Sequence, residues 1–323
     1  MKLIKNIQEF VFEEDRPFKS CHASTLIVLE DGSVLVSYFA GTRESADDVA
    51  IWISKRQNGK WGSPIKVADI EGIPHWNPVL FQKQDGEIIL YYKVGKTIPK
   101  WYTLFICSKD GGQTWSEPKE LVEGDIGGRG PVKNKSIVLS DGTWAAPASI
   151  EDKYWDAFVD LSYDEGKTWH MSNIVSFDHD DTYQGKGIIQ PTLWESEPGH
   201  VHMLLRSTAG RIFRSDSTDG GKTWCAAYPT YLPNNNSGID LDKADDGTLV
   251  LAYNPIGMYK GPRSPLILGI SEDNGENWTQ GMILEKFWGE FSYPAVVIVG
   301  KTVYVTYTWQ RERIVFCELS LTP

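Results

Sequence analysis

Four stretches of this chain read almost alike: SKDGGQTW from Ser108 to Trp115, SYDEGKTW from Ser162 to Trp169, STDGGKTW from Ser217 to Trp224, and SEDNGENW from Ser271 to Trp278. Their starts lie 54, 55 and 54 residues apart. A weaker copy, SKRQNGKW from Ser54, stands 54 residues before the first and carries Arg56 where the others carry Asp. Each unit is a turn by its chemistry. Asp and Ser side chains bond nearby backbone N–H groups, Gly takes a conformation closed to other residues, and Trp folds back over apolar neighbours. One copy would say little, but four at one period mark a repeat architecture.

A second pattern runs alongside the first. Six short apolar strands each open just after a polar cluster: CHAST before Leu26, HWNP before Val79, VKNKS before Ile137, GIIQP before Thr192, NNNSG before Ile239 and EFSYP before Ala295. About 12 residues later comes a further strand, as in VLVSYFAG, IILYYKVG or VYVTYTW. Short apolar runs between Gly/Asp turns read as antiparallel sheet, and no segment holds a helical period. Six units of about 54 residues fill the 323-residue chain. The expected fold is therefore all-β, a six-bladed β-propeller of four-stranded antiparallel blades forming one domain over residues 1–323. The last turn motif leaves only three strands before Pro323, so the N-terminal stretch Leu3–Phe12 is expected to supply the missing strand and close the ring.

Composition narrows the partners. A formal net charge of −11 argues against a nucleic-acid or anionic-membrane surface, which needs a basic face. The four cysteines are far apart with no CxxC pair, and buried free thiols are the expectation. The N-terminus has neither the continuous apolar core nor the cleavage site of a signal peptide, and no run of about 18 apolar residues occurs, so a cytoplasmic location without a membrane span is expected. His200 and His202 alternate on a strand with no third ligand nearby, so neither a metal nor a cofactor is expected.

In a propeller the innermost strands crowd the axis, and the polar residues that open them converge on a central funnel. That rule selects His22, His75, Asn77, Lys133, Lys135, Gln190, Asn235, Ser237, Glu290 and Tyr293. The ends of the second strands add Arg43, Lys93, Arg206, Asn254 and Trp309. Cations, amides and aromatics dominate this set in an acidic chain, which points to a small, polar, anionic ligand. Trp76 and Trp155, with Trp309, are candidates for stacking on a sugar ring.

The turn motif is similar to the Asp-box of bacterial neuraminidase repeats, and the whole chain resembles the sialidase-like superfamily. That resemblance implies three arginines clamping a sugar carboxylate, a tyrosine nucleophile paired with a glutamate, and an aspartate acid/base. Position by position, it places Arg206 and Arg263 as the second and third arginines and Tyr293 as the nucleophile. It makes Arg43 an extra pocket arginine and Asp47 or Asp48 the acid/base. Two positions depart from the pattern. His22, in CHAST, stands where the first arginine belongs, and Gln190, in IIQPTLWES, stands where the glutamate belongs.

The leading expectation is an exo-acting glycoside hydrolase on a glycan carrying an acidic sugar, nonulosonic or uronic. An alternative that the resemblance allows is a histidine-dependent rhamnosidase or uronate lyase, with His22 as base and Tyr293 as acid. A third is a glycan-binding propeller without catalysis. In each case the partner is a small acidic saccharide, held by Arg43, Arg206, Arg263, Gln190, His75, Asn77, Lys93, Lys135, Asn254, Glu290 and Trp309.

Overall fold

Each Asp-box closes the turn that follows the third strand of a blade. In the box at Ser108, Asp110 Oδ1 accepts from the backbone N–H groups of Gln113 and Thr114, both at 2.9 Å, while Ser108 Oγ accepts from Gly112 N at 2.9 Å. The boxes at Ser162 and Ser217 repeat these bonds, and the box at Ser271 keeps those from Gly275 N and Asn277 N. The copy at Ser54 has no Asp to gather the turn. There the chain instead makes a two-residue hairpin through Asn58 and Gly59, both at positive φ (52° and 77°).

The computed structural model describes residues 1–180 and 186–323, and among them the strands form six antiparallel sheets. From the inside outward, blade 1 is Ser20–Val28, Val34–Gly41 and Ala50–Gln57, with Lys60–Trp61 and Ile65–Ala68 both pairing that third strand. Blade 2 is His75–Gln82, Ile88–Val94, Tyr102–Ser108 and Lys119–Glu120, and blade 3 is Ile137–Val138, Trp144–Glu151, Trp155–Ser162 and His170–Met171. Blade 4 is Ile188–Glu197, His200–Ser207, Arg211–Ser217 and Tyr228–Pro233, and blade 5 is Asp240–Lys243, Leu249–Tyr253, Leu266–Ser271 and Thr279–Glu285. Blade 6 takes Phe291–Val299, Thr302–Trp309 and Arg313–Thr322, and its outer strand is the N-terminal Lys2–Phe10. The ring therefore closes as expected, with Lys2 opposite Thr322 and Phe10 opposite Val315.

The core lies in the seams between blades. Leu35 and Ile51 of blade 1 pack on Leu80 and Leu90 of blade 2, and Val250 and Leu268 of blade 5 pack on Val296 and Val305 of blade 6. The other seams are filled in the same way. A blade is covered on both faces, which is why its middle strands read as continuous apolar runs; every residue of Val34–Gly41 is buried. Each fully buried aliphatic side chain contributes about 1.5–3 kcal/mol.

Candidate active site

Strand register decides which end of the blades carries the chemistry. Ser108, which opens a box, pairs with Ile88 at the start of the second strand, whereas Trp76 pairs with Lys93 near that strand's end. The Asp-boxes therefore lie at one end of the barrel of blades, and the openings of the inner strands lie at the other. Loops joining second to third strands share that second end. They hold Arg43–Asp48 in blade 1, Arg263 in blade 5 and Arg311 in blade 6.

All six inner strands open through one residue in the left-handed region: Ala23, Asn77, Lys133, Gln190, Asn236 and Tyr293, with φ of 55°, 41°, 66°, 52°, 64° and 52°. In blades 1, 2, 4 and 6 a register shift marks a bulge at that point. A bulge turns a side chain out of the alternation of its strand. Each such non-glycine residue costs about 1–3 kcal/mol, and such strain gathers where the surrounding structure over-determines a functional geometry.

Tyr293 is the hub of the funnel. Arg206 Nη1 donates to its phenolic oxygen at 2.7 Å and to Gln190 Oε1 at 3.0 Å. The same guanidinium is fixed from behind by Asn236, through Oδ1 (3.1 Å from Nη2) and the backbone oxygen. Over the Tyr293 ring lie the guanidinium carbons of Arg206 and Arg263, 5.6 and 5.5 Å from its centroid, and Lys133 Nζ at 6.0 Å. The His22 ring is tilted against it at 4.1 Å.

Arg263 and Arg311 share one counter-ion. Arg263 Nη1 and Arg311 Nε reach the same oxygen of Glu290, at 2.9 and 2.6 Å, and Arg311 Nη1 pairs with Glu44 at 2.6 Å. Burial pushes the Glu290 carboxyl up, but Arg311 and Arg263 outweigh it and hold it below its ordinary value. Nη2 of both arginines makes no hydrogen bond among the described residues. The funnel thus keeps guanidinium donors unspent, which suits a planar carboxylate.

His22 is fully buried, and that burial, with Arg311, Arg263, Arg206 and Lys133 around it, pushes its pKa well below the usual histidine value. Its Nδ1 lies 2.9 Å from Thr308 Oγ1, and its buried Nε2 has no partner among the described residues. Its surroundings therefore replace the near-neutral titration expected of a free histidine. Behind Gln190 lies Glu151, which accepts from Gln190 Nε2 at 3.3 Å and from Ser149 Oγ at 3.1 Å. Burial pushes its carboxyl up.

The remaining sequence candidates separate by what their side chains already hold. Asp48 accepts from Thr42 N (3.0 Å) and Thr42 Oγ1 (2.5 Å), bonds that lower its pKa and fold its own loop; Asp47 and Arg43 are exposed beside it. His75 Nδ1 lies 2.9 Å from Ile73 O and 3.1 Å from Val49 O, so it is the protonated nitrogen, and its buried Nε2 has no partner among the described residues. Asn77 is buried at its bulge. Lys93 is spent on the carbonyl of Arg129 at 2.6 Å, and burial pushes its amine down to about 8. Asn254 ties the Arg263 loop to the Tyr293 strand by donating to Pro265 O (2.8 Å) and Phe291 O (3.0 Å).

Lys135 and Lys133 both run from blade 3 to the carbonyls of blades 5 and 6. Lys135 Nζ donates to Leu241 O at 2.6 Å and Val296 O at 2.7 Å and pairs with Asp240 at 3.2 Å. Lys133 Nζ donates to Ile239 O at 2.8 Å and to Pro294 O, and burial pushes its amine down to about 7. Blades 3 and 6 stand opposite in a ring of six, so these amines cross the axis and floor the funnel. Trp309 packs in the blade 5–6 seam, 5.5 Å from the Phe10 ring, and Trp76 donates to Gly95 O inside blade 2. Trp155 is the aromatic beside the cations, 5.9 Å from the Arg206 guanidinium. His202 is held by Asp216 (2.5 Å) and Ser196 (2.7 Å).

Three funnel residues escaped the sequence reading. Arg311 lies two residues past Trp309, where the rule of strand ends stopped; its carbonyl accepts from Cys21 N at 2.8 Å, which seats it against His22. Glu151 is the end of the second strand of blade 3, the one blade from which that rule took no residue. Asn236, between the selected Asn235 and Ser237, is the residue at the left-handed turn.

A family model described as a BNR repeat-like domain matches residues 32–305. The fold is shared with a protein of unknown function from Dyadobacter fermentans DSM 18053, at 17% identity and a TM-score of 0.80, covering 99% of this chain and 100% of that one. It is also shared with the Hadza microbial sialidase Hz136, at 18% identity and a TM-score of 0.81, covering 98% of this chain and 69% of that one. The NanB sialidase of Streptococcus pneumoniae aligns at 14% identity and a TM-score of 0.75, over 98% of this chain and 71% of that one.

Proposed function

We propose, from the premise that this chain belongs to the family of BNR repeat-like domains and has the sialidase-like propeller fold, that it is an exo-acting glycoside hydrolase. Its substrate on this reading is a glycan that ends in an acidic sugar, nonulosonic or uronic. The observation that carries the reading is the gathering of Arg206, Arg263 and Arg311 around Tyr293 in a chain of net charge −11. The free donors of Arg263 and Arg311 would take the carboxylate. Because Lys133 and Lys135 cross the axis, the funnel is blind, and a blind funnel admits a chain end rather than an internal residue.

In the reaction, the Tyr293 oxygen attacks the anomeric carbon as the glycosidic bond breaks and Asp47 protonates the departing oxygen. Of the two aspartates, Asp47 is the freer, since Asp48 is engaged by Thr42. Gln190 cannot accept the phenolic proton as a glutamate would. That proton passes to solvent water as the oxygen attacks and is regained when the tyrosinate leaves, while Arg206, which donates to the phenolic oxygen, favours the negative charge developing there. Water then cleaves the tyrosyl-sugar bond with Asp47 as base. Release of a chromogenic leaving group from acidic but not neutral glycosides is expected; equal release from both, or from neither, contradicts the proposal.

One observation favours a second reading. His22, tilted against Tyr293 at 4.1 Å with its Nε2 unpartnered among the described residues, is also placed to form a base–acid pair with it for β-elimination. His22 would take the C5 proton of a uronate, Tyr293 would protonate the departing O4, and a C4=C5 double bond would form. Ultraviolet absorbance growing as uronate glycans are consumed decides for this reading, and consumption of those glycans without such absorbance decides for hydrolysis.

A further inference from the structure

We propose that the groove beside Glu290 is a second sugar subsite, in which Trp288 stacks on the pyranose next to the acidic sugar. The proposal rests on the reading of the funnel as an acidic-sugar site. Trp288 is 94% exposed and its neighbour Phe287 is 70% exposed. They project from the loop that feeds the Tyr293 strand, over a cavity of about 530 Å³.

The loop is held although its aromatic rings are not covered. Glu290 N donates to Gln310 Oε1 at 3.2 Å, Gln310 N donates back to Glu290 O at 2.8 Å, and Ser264 Oγ donates to Phe287 O at 2.5 Å. A Cβ at Gly289 would lie 1.9 Å from Gln310 Nε2, so any larger residue there would push aside the Gln310 amide whose Oε1 accepts from Glu290 N. A pinned loop presenting an indole to solvent is preorganised for a ligand, because little further ordering is needed on binding.

Continuity with the funnel identifies the occupant. Glu290 lines this groove, and its Oε1 is the oxygen that Arg263 and Arg311 hold in the funnel. A glycan whose end residue meets those arginines must leave the funnel past a neighbour, and this groove adjoins it. A pyranose has an apolar C–H face and a rim of hydroxyls. Here the indole meets the face, while Ser264, Gln310 and Lys286 supply the polar edge. The volume is that of a small-ligand site rather than of a flat protein–protein interface.

The test is calorimetric titration in the Tyr293→Phe background, in which turnover is slowed about a hundredfold or more. The probes are N-acetylneuraminic acid and glucuronic acid, each against an extended partner, sialyllactose and an aldobiouronic acid. The extended form of whichever monosaccharide binds should bind about tenfold tighter. Adding Trp288→Ala should abolish that gain and leave the monosaccharide within twofold. An extended ligand no tighter than its monosaccharide, or a gain that survives Trp288→Ala, overturns the subsite while leaving the funnel reading intact. Failure of both monosaccharides overturns the funnel reading and the subsite with it. A dimer in sedimentation that Trp288→Ala dissolves overturns the subsite in favour of a self-association face.

Discussion

Replacing Lys135 by Met separates a structural role from a ligand-binding one. The sequence placed Lys135 in the pocket as a ligand-binding group, whereas its amine is spent at the funnel floor on Leu241 O, Val296 O and Asp240 of blades 5 and 6. Removing one partner of a buried ion pair costs about 3–5 kcal/mol when the other is stranded. Asp240 is not stranded, since it still accepts from Val296 N at 2.8 Å and Thr192 Oγ1 at 2.7 Å. Methionine also recovers the desolvation cost of the ammonium, so a loss of about 2–3 kcal/mol is expected. Unfolding entropy of about 2.1 cal/mol/K per residue makes about 0.7 kcal/mol/K for 323 residues, which places the fall in Tm at about 3–4 °C. Scanning calorimetry reads that shift, and titration with the acidic monosaccharide should show affinity within twofold of the parent. A Tm unchanged within 1 °C would refute the inter-blade tie. An intact Tm with collapsed affinity would return Lys135 to the pocket.

Tyr293→Phe removes the phenolic oxygen that Arg206 touches; stability should change by about 1 kcal/mol in urea denaturation while turnover falls about a hundredfold or more. Arg311→Met and Arg263→Met should each weaken acidic-sugar binding about ten- to a hundredfold, and the loss should shrink as salt rises. His22 has a folded pKa below its ordinary 6.5, so the stability it contributes is present above that value and is lost as pH falls through the folded value. Its ring resonances in NMR should hold constant from pH 8 down to about 6, and a midpoint near neutrality would contradict its burial among arginines.

How much of this was legible follows from where each signal resides. The repeat that sets the blade number rests on local turn chemistry, because among the described residues Asp110 and its counterparts bond to residues within their own boxes. It could be read from spacing alone. The openings of the inner strands were legible as clusters but not as geometry. Gln190 and Tyr293 adopt left-handed backbone with no glycine to announce it. Likewise, nothing local to VKNKS shows that Lys133 and Lys135 end on carbonyls of blades 5 and 6, over 100 residues away. Arg311 was hidden for a related reason. It reaches the funnel from a turn beyond its strand, and contacts distant in sequence, from Cys21 N to its carbonyl and from its guanidinium to Glu290 and Glu44, place it beside His22.

The central claim is that Arg206, Arg263 and Arg311 form one carboxylate site around Tyr293. A crystal of the Tyr293→Phe variant soaked with an acidic monosaccharide tests it most directly. The account predicts the carboxylate between Arg263 and Arg311, within hydrogen-bond distance of their free Nη2 atoms, with the anomeric carbon over residue 293. A sugar bound with its carboxylate turned to solvent, or seated away from these three arginines, would contradict it.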